Sequence, residues 1–409
     1  MKNTSNTRLL SSFLHIIKWT LLAALVAVLA GSASAFFLFA LERATAARLA
    51  HHALLLLLPV AGFVVAYLYL HYGQQVEAGN NLLIDEIHNP KKIIPLRMVP
   101  LVLAATVTSH LFGASVGREG TAVQMGGALA DQLNRAIGLA AEDRRIMLMA
   151  GISAGFASVF GTPLAGAIFG LEVLIIGRLR YEALLPCLIA AVLADQVGLF
   201  WGVQHTHYLI TQIPPLSLRN LLMMIIAGAC FGLCARLFAT FTHRGSAWFT
   251  ARIAYAPLRS FFGGCLILAI VWFGAAERYI GLGIPVIVEA FAQPVPVYDF
   301  AAKAMLTIAS LSAGFKGGEV TPLFFIGATL GNALAPLLQL PFSLLAGMGF
   351  VAVFAGAANT PLASTLMAIE LFGADVGVFA AIACAVSFLC SGHAGIYRAQ
   401  GRGENQVGP

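Results

Sequence analysis

The chain has 409 residues, of which 59% are apolar and only 10% charged, with a formal net charge of +6. A soluble domain carries about 25% charged residues, so this composition excludes a water-soluble globular protein and describes a polytopic membrane protein. The basic excess is spread over connecting segments rather than massed in one cluster, which gives no sign of a nucleic-acid partner.

In chain order, the apolar runs 20–41 and 52–70 come first, each long enough to cross a hydrocarbon core of about 30 Å as a helix. Lys2, Arg8 and Lys18 precede the first run, Arg43 and Arg48 follow it, and Lys91, Lys92 and Arg97 follow the second. This bias predicts a cytoplasmic N-terminal segment, 1–17, before a retained first helix, because the run is too long and too poor in a cleavage signal for a signal peptide. Many later apolar runs are short or broken by Gly and Pro, which predicts discontinuous helices around a buried cavity. Cys187, Cys230, Cys234, Cys265, Cys384 and Cys390 lie in apolar stretches without metal-ligand spacing and are expected as buried free thiols.

A polar break from Glu77 to His88 carries Gly79-Asn80-Asn81, where a short helix is expected to start with amide donors at its mouth. The apolar stretch 101–113 then runs into Gly117-Arg118-Glu119-Gly120-Thr121, read as helix, break, helix. A charge at the centre of a membrane span is unfavourable by roughly 2.5–3.5 kcal/mol, so Glu119 is expected to face a cavity or an ion path. Its flanking glycines let backbone approach closely, and the following helix would aim free N–H groups at whatever sits there. A charged loop is expected from Arg135 to Arg145, followed by the small-residue stretch 149–161 and by Thr162-Pro163-Leu164-Ala165-Gly166, which runs on to Glu172. Gly151-Ile152-Ser153-Ala154-Gly155 fits a hydrolase nucleophile motif but lacks the strand-turn-helix setting, so helix packing is the expected role of Ser153. No metal-binding H-E-x-x-H occurs, and neither a metal nor a cofactor is expected.

The second half of the chain restates this order. Gly117 and Gly317 stand 200 positions apart, and the same offset pairs Glu119 with Glu319, Thr121 with Thr321 and Gly127 with Gly327. Thr-Pro-Leu-Ala at 162–165 recurs at 360–363, and at that offset Glu172 pairs with Glu370. Two motifs in register indicate an internal duplication. In transporters such repeats are often inverted, with the ion site where broken helices of both halves meet. Glu119 and Glu319 would then approach one pathway from opposite sides.

On Gly117-Arg118-Glu119-Gly120, Pro163-Leu164-Ala165-Gly166 before Phe169, and Gly317-Gly318 followed by Pro322, the chain resembles the CLC family of anion channels and proton/anion antiporters over nearly its whole length. The resemblance implies an all-α membrane fold of two inverted halves with discontinuous helices, here spanning 18–210 and 211–397, with a tail 398–409 too short for a cytoplasmic regulatory domain. It implies a homodimer with one pore per subunit, and Glu119 as the gating glutamate. It implies a transporter rather than an enzyme; a bacterial inner membrane, with both termini cytoplasmic, is the expected setting.

Three departures from the chloride-type pattern stand out. Gly79-Asn80-Asn81 replaces a serine-bearing segment, Glu319-Val320-Thr321 replaces an apolar one, and Val173 stands where the inner proton-relay glutamate is found. These look like the fluoride-exporting branch, so fluoride and protons are the expected substrates; a chloride/proton antiporter or a passive anion channel is the alternative. The Asn80 amide, the Thr321 hydroxyl, the Tyr397 phenol and the backbone N–H groups at Gly120 and Val320 are the expected anion donors. Glu319 is the candidate second proton station. Glu172 and Glu370 stand behind it as candidates and are expected instead to bond helix ends or the dimer surround, Thr321 to cap a helix that Pro322 opens, and Arg118 to hold Glu119 or to serve carbonyls or Glu172.

Overall fold

The structure, a computed structural model, describes residues 2–274, 276–392 and 394–402; His393 and the tail beyond 402 lie outside the described residues. The first half contains α1 (Lys2–Ala50), α2 (Leu58–Tyr72), α3 (Asn80–His88), α4 (Met98–Leu111), α5 (Glu119–Ile137), α6 (Ala141–Phe160), α7 (Pro163–Glu172) and α8 (Leu184–Phe200). The second contains α9 (Leu218–Arg252), α10 (Ala256–Gly274), α11 (Ile284–Ala292), α12 (Asp299–Ser312), α13 (Val320–Leu338), α14 (Phe342–Ala358), α15 (Pro361–Phe372) and α16 (Gly377–Cys390). Among the described residues, six helices are long and apolar enough to cross a membrane. Of the others, α3, α7 and α15 are short, as broken spans should be, whereas α5 (19 residues) and α6 (20 residues) are long enough but more polar. α1 starts at Lys2 and so takes in the stretch expected as a separate N-terminal segment.

Small residues set the two tightest helix crossings. A Cβ on Gly126 of α5 would strike the Gly151 carbonyl of α6, and a Cβ on Gly327 of α13 would strike the Gly349 carbonyl of α14. The crossings occupy matching places in the two halves. Backbone at van der Waals contact leaves no room for a side chain, so Gly327→Val is expected to destabilise the fold by about 3 kcal/mol or more. Size-exclusion chromatography in detergent checks this: the variant should lose the monodisperse peak.

Two expectations are corrected here. The expected loop from Arg135 to Arg145 shrinks to the turn 138–140, because α5 continues to Ile137 and α6 starts at Ala141. Arg144 is therefore helical and buried, and its charge is satisfied by distant partners. Its Nε and Nη2 donate to Asp131 Oδ1 (2.7 Å) and Oδ2 (2.8 Å), its Nη1 to Glu86 Oε2 (3.0 Å) and its Nη2 also to the Lys92 carbonyl (2.7 Å). Nor are the cysteines uniformly buried. All six are free, but Cys265 and Cys390 are exposed, since α10 and α16 turn apolar faces outward where a thiol needs no protein cover.

Candidate ion pathway

The two halves meet at a backbone contact. Gly117 N–H donates to the Gly318 carbonyl (2.5 Å) and Gly318 N–H to the Gly117 carbonyl (2.8 Å), an antiparallel bridge between the segments that lead into α5 and α13. Glycine is required on both sides: a Cβ on Gly117 would lie 2.8 Å from the Gly318 carbonyl, and one on Gly318 2.9 Å from Gly120 N. The bridge therefore brings the N-termini of two helices, with their free N–H groups, to one point.

Glu119, 1% exposed, opens α5 and turns its carboxylate across the bridge onto α13. Thr321 N–H donates to Oε2 (3.0 Å) and Thr321 Oγ1 to Oε1 (2.5 Å), while Arg118 N–H donates to Oε2 (3.2 Å). Arg118 Nε stands 3.5 Å from Oε1, so of the roles expected for Arg118 the structure shows the one toward Glu119. Thr321 does not cap its helix: α13 starts at Val320 with Glu319 at the N-cap, and Pro322 is its third residue. The hydroxyl is thereby free to serve Glu119. Thr121, the repeat partner of Thr321, bonds instead to Thr106 Oγ1 (2.7 Å).

Clefts approach this point from two directions. Glu119, Arg118, His205, Thr206 and Tyr208 line a neck of about 20 Å³. Arg118, His205 and Thr206 also line a wider cleft of about 700 Å³ that includes Glu42 and Gln204. A third cleft, of about 470 Å³, is lined by Asn80, Glu319, Lys316, Tyr397 and Arg398, and not by Glu119. The expected site residues are thus divided. Glu119 and Thr321 bond each other beside the neck, whereas Asn80, Glu319 and Tyr397 gather in the third cleft. Gly120 links the groups, since a Cβ there would lie 3.0 Å from Asn80 Nδ2. Val320 is buried and lines none of these clefts.

The third cleft holds polar groups without partners. Asn80 is the first residue of α3, and among the described residues no hydrogen bond occupies its carboxamide, whose Oδ1 is buried. Tyr397 is buried on the segment after α16, which is tied down on every side: Ile396 N–H donates to the Ala357 carbonyl (2.9 Å) and Ala399 N–H to Asn81 Oδ1 (3.0 Å). Gln400 Nε2 donates to the carbonyls of Val173 (2.9 Å) and Ala358 (2.7 Å). Beyond it a two-residue strand β2 (Gly401–Arg402) pairs in parallel with β1 (Ile175–Ile176), just after α7.

Glu172 and Glu370 do bond helix ends, and they do so reciprocally. Glu172, ending α7, accepts from the N–H groups of Leu362 (3.0 Å) and Ala363 (2.8 Å) at the start of α15. Glu370, near the end of α15, accepts from those of Leu164 and Ala165 (both 2.8 Å) at the start of α7. Each carboxylate satisfies two orphan donors and opposes a helix dipole. Glu370→Ala is expected to lower stability by about 1–2 kcal/mol while transport per folded molecule persists. Thermal unfolding in detergent alongside flux measurements checks both halves of that statement.

Ser153 is buried where α6 crosses α7, its Oγ 3.4 Å from the Ala167 carbonyl, which is a packing position. Lys303 was not singled out from the sequence. It is fully buried on α12, and its Nζ donates to the carbonyls of Tyr279 (2.8 Å) and Gly281 (2.7 Å). The same Tyr279 carbonyl accepts from Ser115 Oγ (3.0 Å), so Lys303 braces the segment that leads to Gly117. A lone lysine among alanines in an apolar helix was the available signal.

A family model described as voltage gated chloride channel matches residues 61–392. A chloride/fluoride channel protein of Pseudomonas syringae pv. tomato is 62% identical over 398 residues, covering 96% of this chain and 88% of that protein. Among solved structures, a CLC-type fluoride/proton antiporter superposes with a TM-score of 0.93 at 35% identity, covering 95% of this chain and 99% of the other. A slow cyanobacterial Cl-/H+ antiporter superposes with a TM-score of 0.78 at 22% identity, covering 91% and 94%, a likeness of fold.

Proposed function

The chain belongs to the voltage gated chloride channel (CLC) family of membrane anion-transport proteins, and from that premise we propose that it expels fluoride in exchange for protons. One observation carries the reading: the Glu119 carboxylate takes the Thr321 N–H and hydroxyl at the mouth of α13. Those are the donors a small anion would use. Carboxylate and anion therefore compete for one place. Protonating Glu119 removes its charge and weakens bonds that are about twice as strong to an ionised acceptor; the side chain then leaves and the anion enters.

Fluoride is small and strongly hydrated, and it needs strong donors to offset dehydration. The unoccupied Asn80 carboxamide and the Tyr397 phenol suit that need, and the 35% identical structure is described as a fluoride/proton antiporter. Glu319 is the second proton station. It lines the cleft opposite Glu119, Val173 carries no carboxylate, and that of Glu172 is bound to the start of α15. The protein works as a homodimer with one pore per subunit in a bacterial inner membrane, as the resemblance implies.

Liposomes loaded with fluoride test the reading. An outward fluoride gradient should draw protons inward, and chloride should move at less than about a tenth of the fluoride rate, the discrimination worth roughly 1.4 kcal/mol. Equal chloride flux overturns fluoride selectivity. Fluoride flux without protons makes the protein a passive channel.

A further inference from the structure

We propose that Lys316 is an anion-collecting residue, whose ammonium inside the Glu319 cleft draws the transported anion toward Asn80 and Tyr397. This rests on the exchange reading above and adds to it a residue that neither gates nor carries protons.

Lys316 directly precedes Gly317-Gly318-Glu319, the turn that enters α13. Its neighbour Phe315 is buried against Gly62 of α2, with ring atoms 2.8 Å from where a Cβ on that glycine would stand. Phe315 anchors the chain, and Lys316 lines the cleft next to it. The ammonium sits 4.3 Å from the centroid of the Tyr69 ring, and Tyr69 is itself buried on α2. A cation held against an aromatic face is kept in place without being neutralised.

Other cations in the fold are satisfied differently. Arg144 has Asp131 and Glu86, Arg278 has Asp299 and Glu289, and Lys303 has two carbonyls. Lys316 makes no ion pair among the described residues, and the two charges that act on it, Glu77 and Arg259, are of opposite sign, so no bonded partner cancels its field in the cleft. The remaining charged groups there are Glu319 beside it, and exposed Glu77 and Arg398. Arg398, positioned by a bond from its Nε to His243 Nδ1 (3.1 Å), keeps its charge and adds to the positive lining. Low-dielectric walls focus the field of a charge so placed and raise the local concentration of counter-ions. Such a field is screened by salt, with a Debye length of about 10 Å at 0.1 M.

The test uses the full chain in liposomes with fluoride as the probe. Lys316→Gln should raise the apparent KM for fluoride about tenfold, leaving turnover at saturating fluoride and the proton-to-fluoride ratio unchanged. Lys316→Arg should stay within about twofold of wild type, because the charge remains. Raising ionic strength with an inert salt should raise the wild-type KM and leave that of Lys316→Gln nearly flat. A wild-type KM and salt slope in Lys316→Gln overturn the proposal. So does a flat wild-type profile, which needs no variant and stands even if Lys316→Gln fails to fold. If the wild type carries chloride instead of fluoride, the selectivity reading fails, and the same comparison made on chloride decides the role of Lys316.

Discussion

Glu119→Gln should leave proton movement driven by a fluoride gradient at less than about a tenth of the wild-type rate, a loss of more than roughly 1.4 kcal/mol in coupled transport. The amide matches the carboxyl in shape but takes up no proton in the working range, so the step that links the two fluxes is removed at its source. Its hydrogen bonding also changes. Oε1 still accepts from the Thr321 hydroxyl, but an NH2 group in the place of Oε2 faces two donors, Thr321 N–H and Arg118 N–H. Opposed donors forfeit bonds worth about 1.5–3 kcal/mol when made to a charged group. The amide is therefore held less firmly than the carboxylate it replaces. A pH electrode in a weakly buffered liposome suspension reads the result directly. Wild-type proton uptake by Glu119→Gln would falsify the assignment of Glu119 as the exchanging carboxylate.

The second large effect is on folding. Arg144→Met should cost about 3–5 kcal/mol, because it strands two buried carboxylates, Asp131 and Glu86, in a site built for a bidentate guanidinium. The network ties α3, whose first residue is Asn80, to α5, whose first residue is Glu119, and both to α6. Its loss should reach the pathway as well as the core. Adding Asp131→Asn and Glu86→Gln removes the stranded charges while keeping one oxygen in the Oδ2 place for the Ile94 N–H and one in the Oε2 place for the N–H groups of Lys91 and Lys92. The triple variant should recover at least half of the loss in thermal unfolding. A triple variant no more stable than Arg144→Met rules out stranded charge as the cause.

Much of this was legible in the sequence because it is local or repeated. A costly carboxylate between glycines marks a broken helix wherever it occurs, and its recurrence 200 residues on marks the duplication. The same rule places a helix start at Asn80 and gives Glu172 and Glu370 their helix-end roles. What escaped was long-range pairing. Nothing near Arg144 in sequence shows that Glu86, 58 positions earlier, will meet it, so a buried hub reads as a charged surface loop. Thr321 before Pro322 has the local chemistry of a helix cap. It serves Glu119 because the Gly117–Gly318 bridge carries it there, and a backbone contact across two hundred residues leaves no local signature.

The reciprocal bonds of Glu172 and Glu370 limit how the protein can move. Each half holds the start of a helix in the other, the Gly117–Gly318 bridge fastens the halves at a further place, and the β1–β2 pair ties the tail to the first half. Rocking one half against the other as a rigid body would break four carboxylate bonds and the Gly117–Gly318 bridge at once. What those bonds leave free is side-chain rotation: the Glu119 carboxylate, held by hydrogen bonds from Thr321 and Arg118, can turn without disturbing the contacts that join the halves.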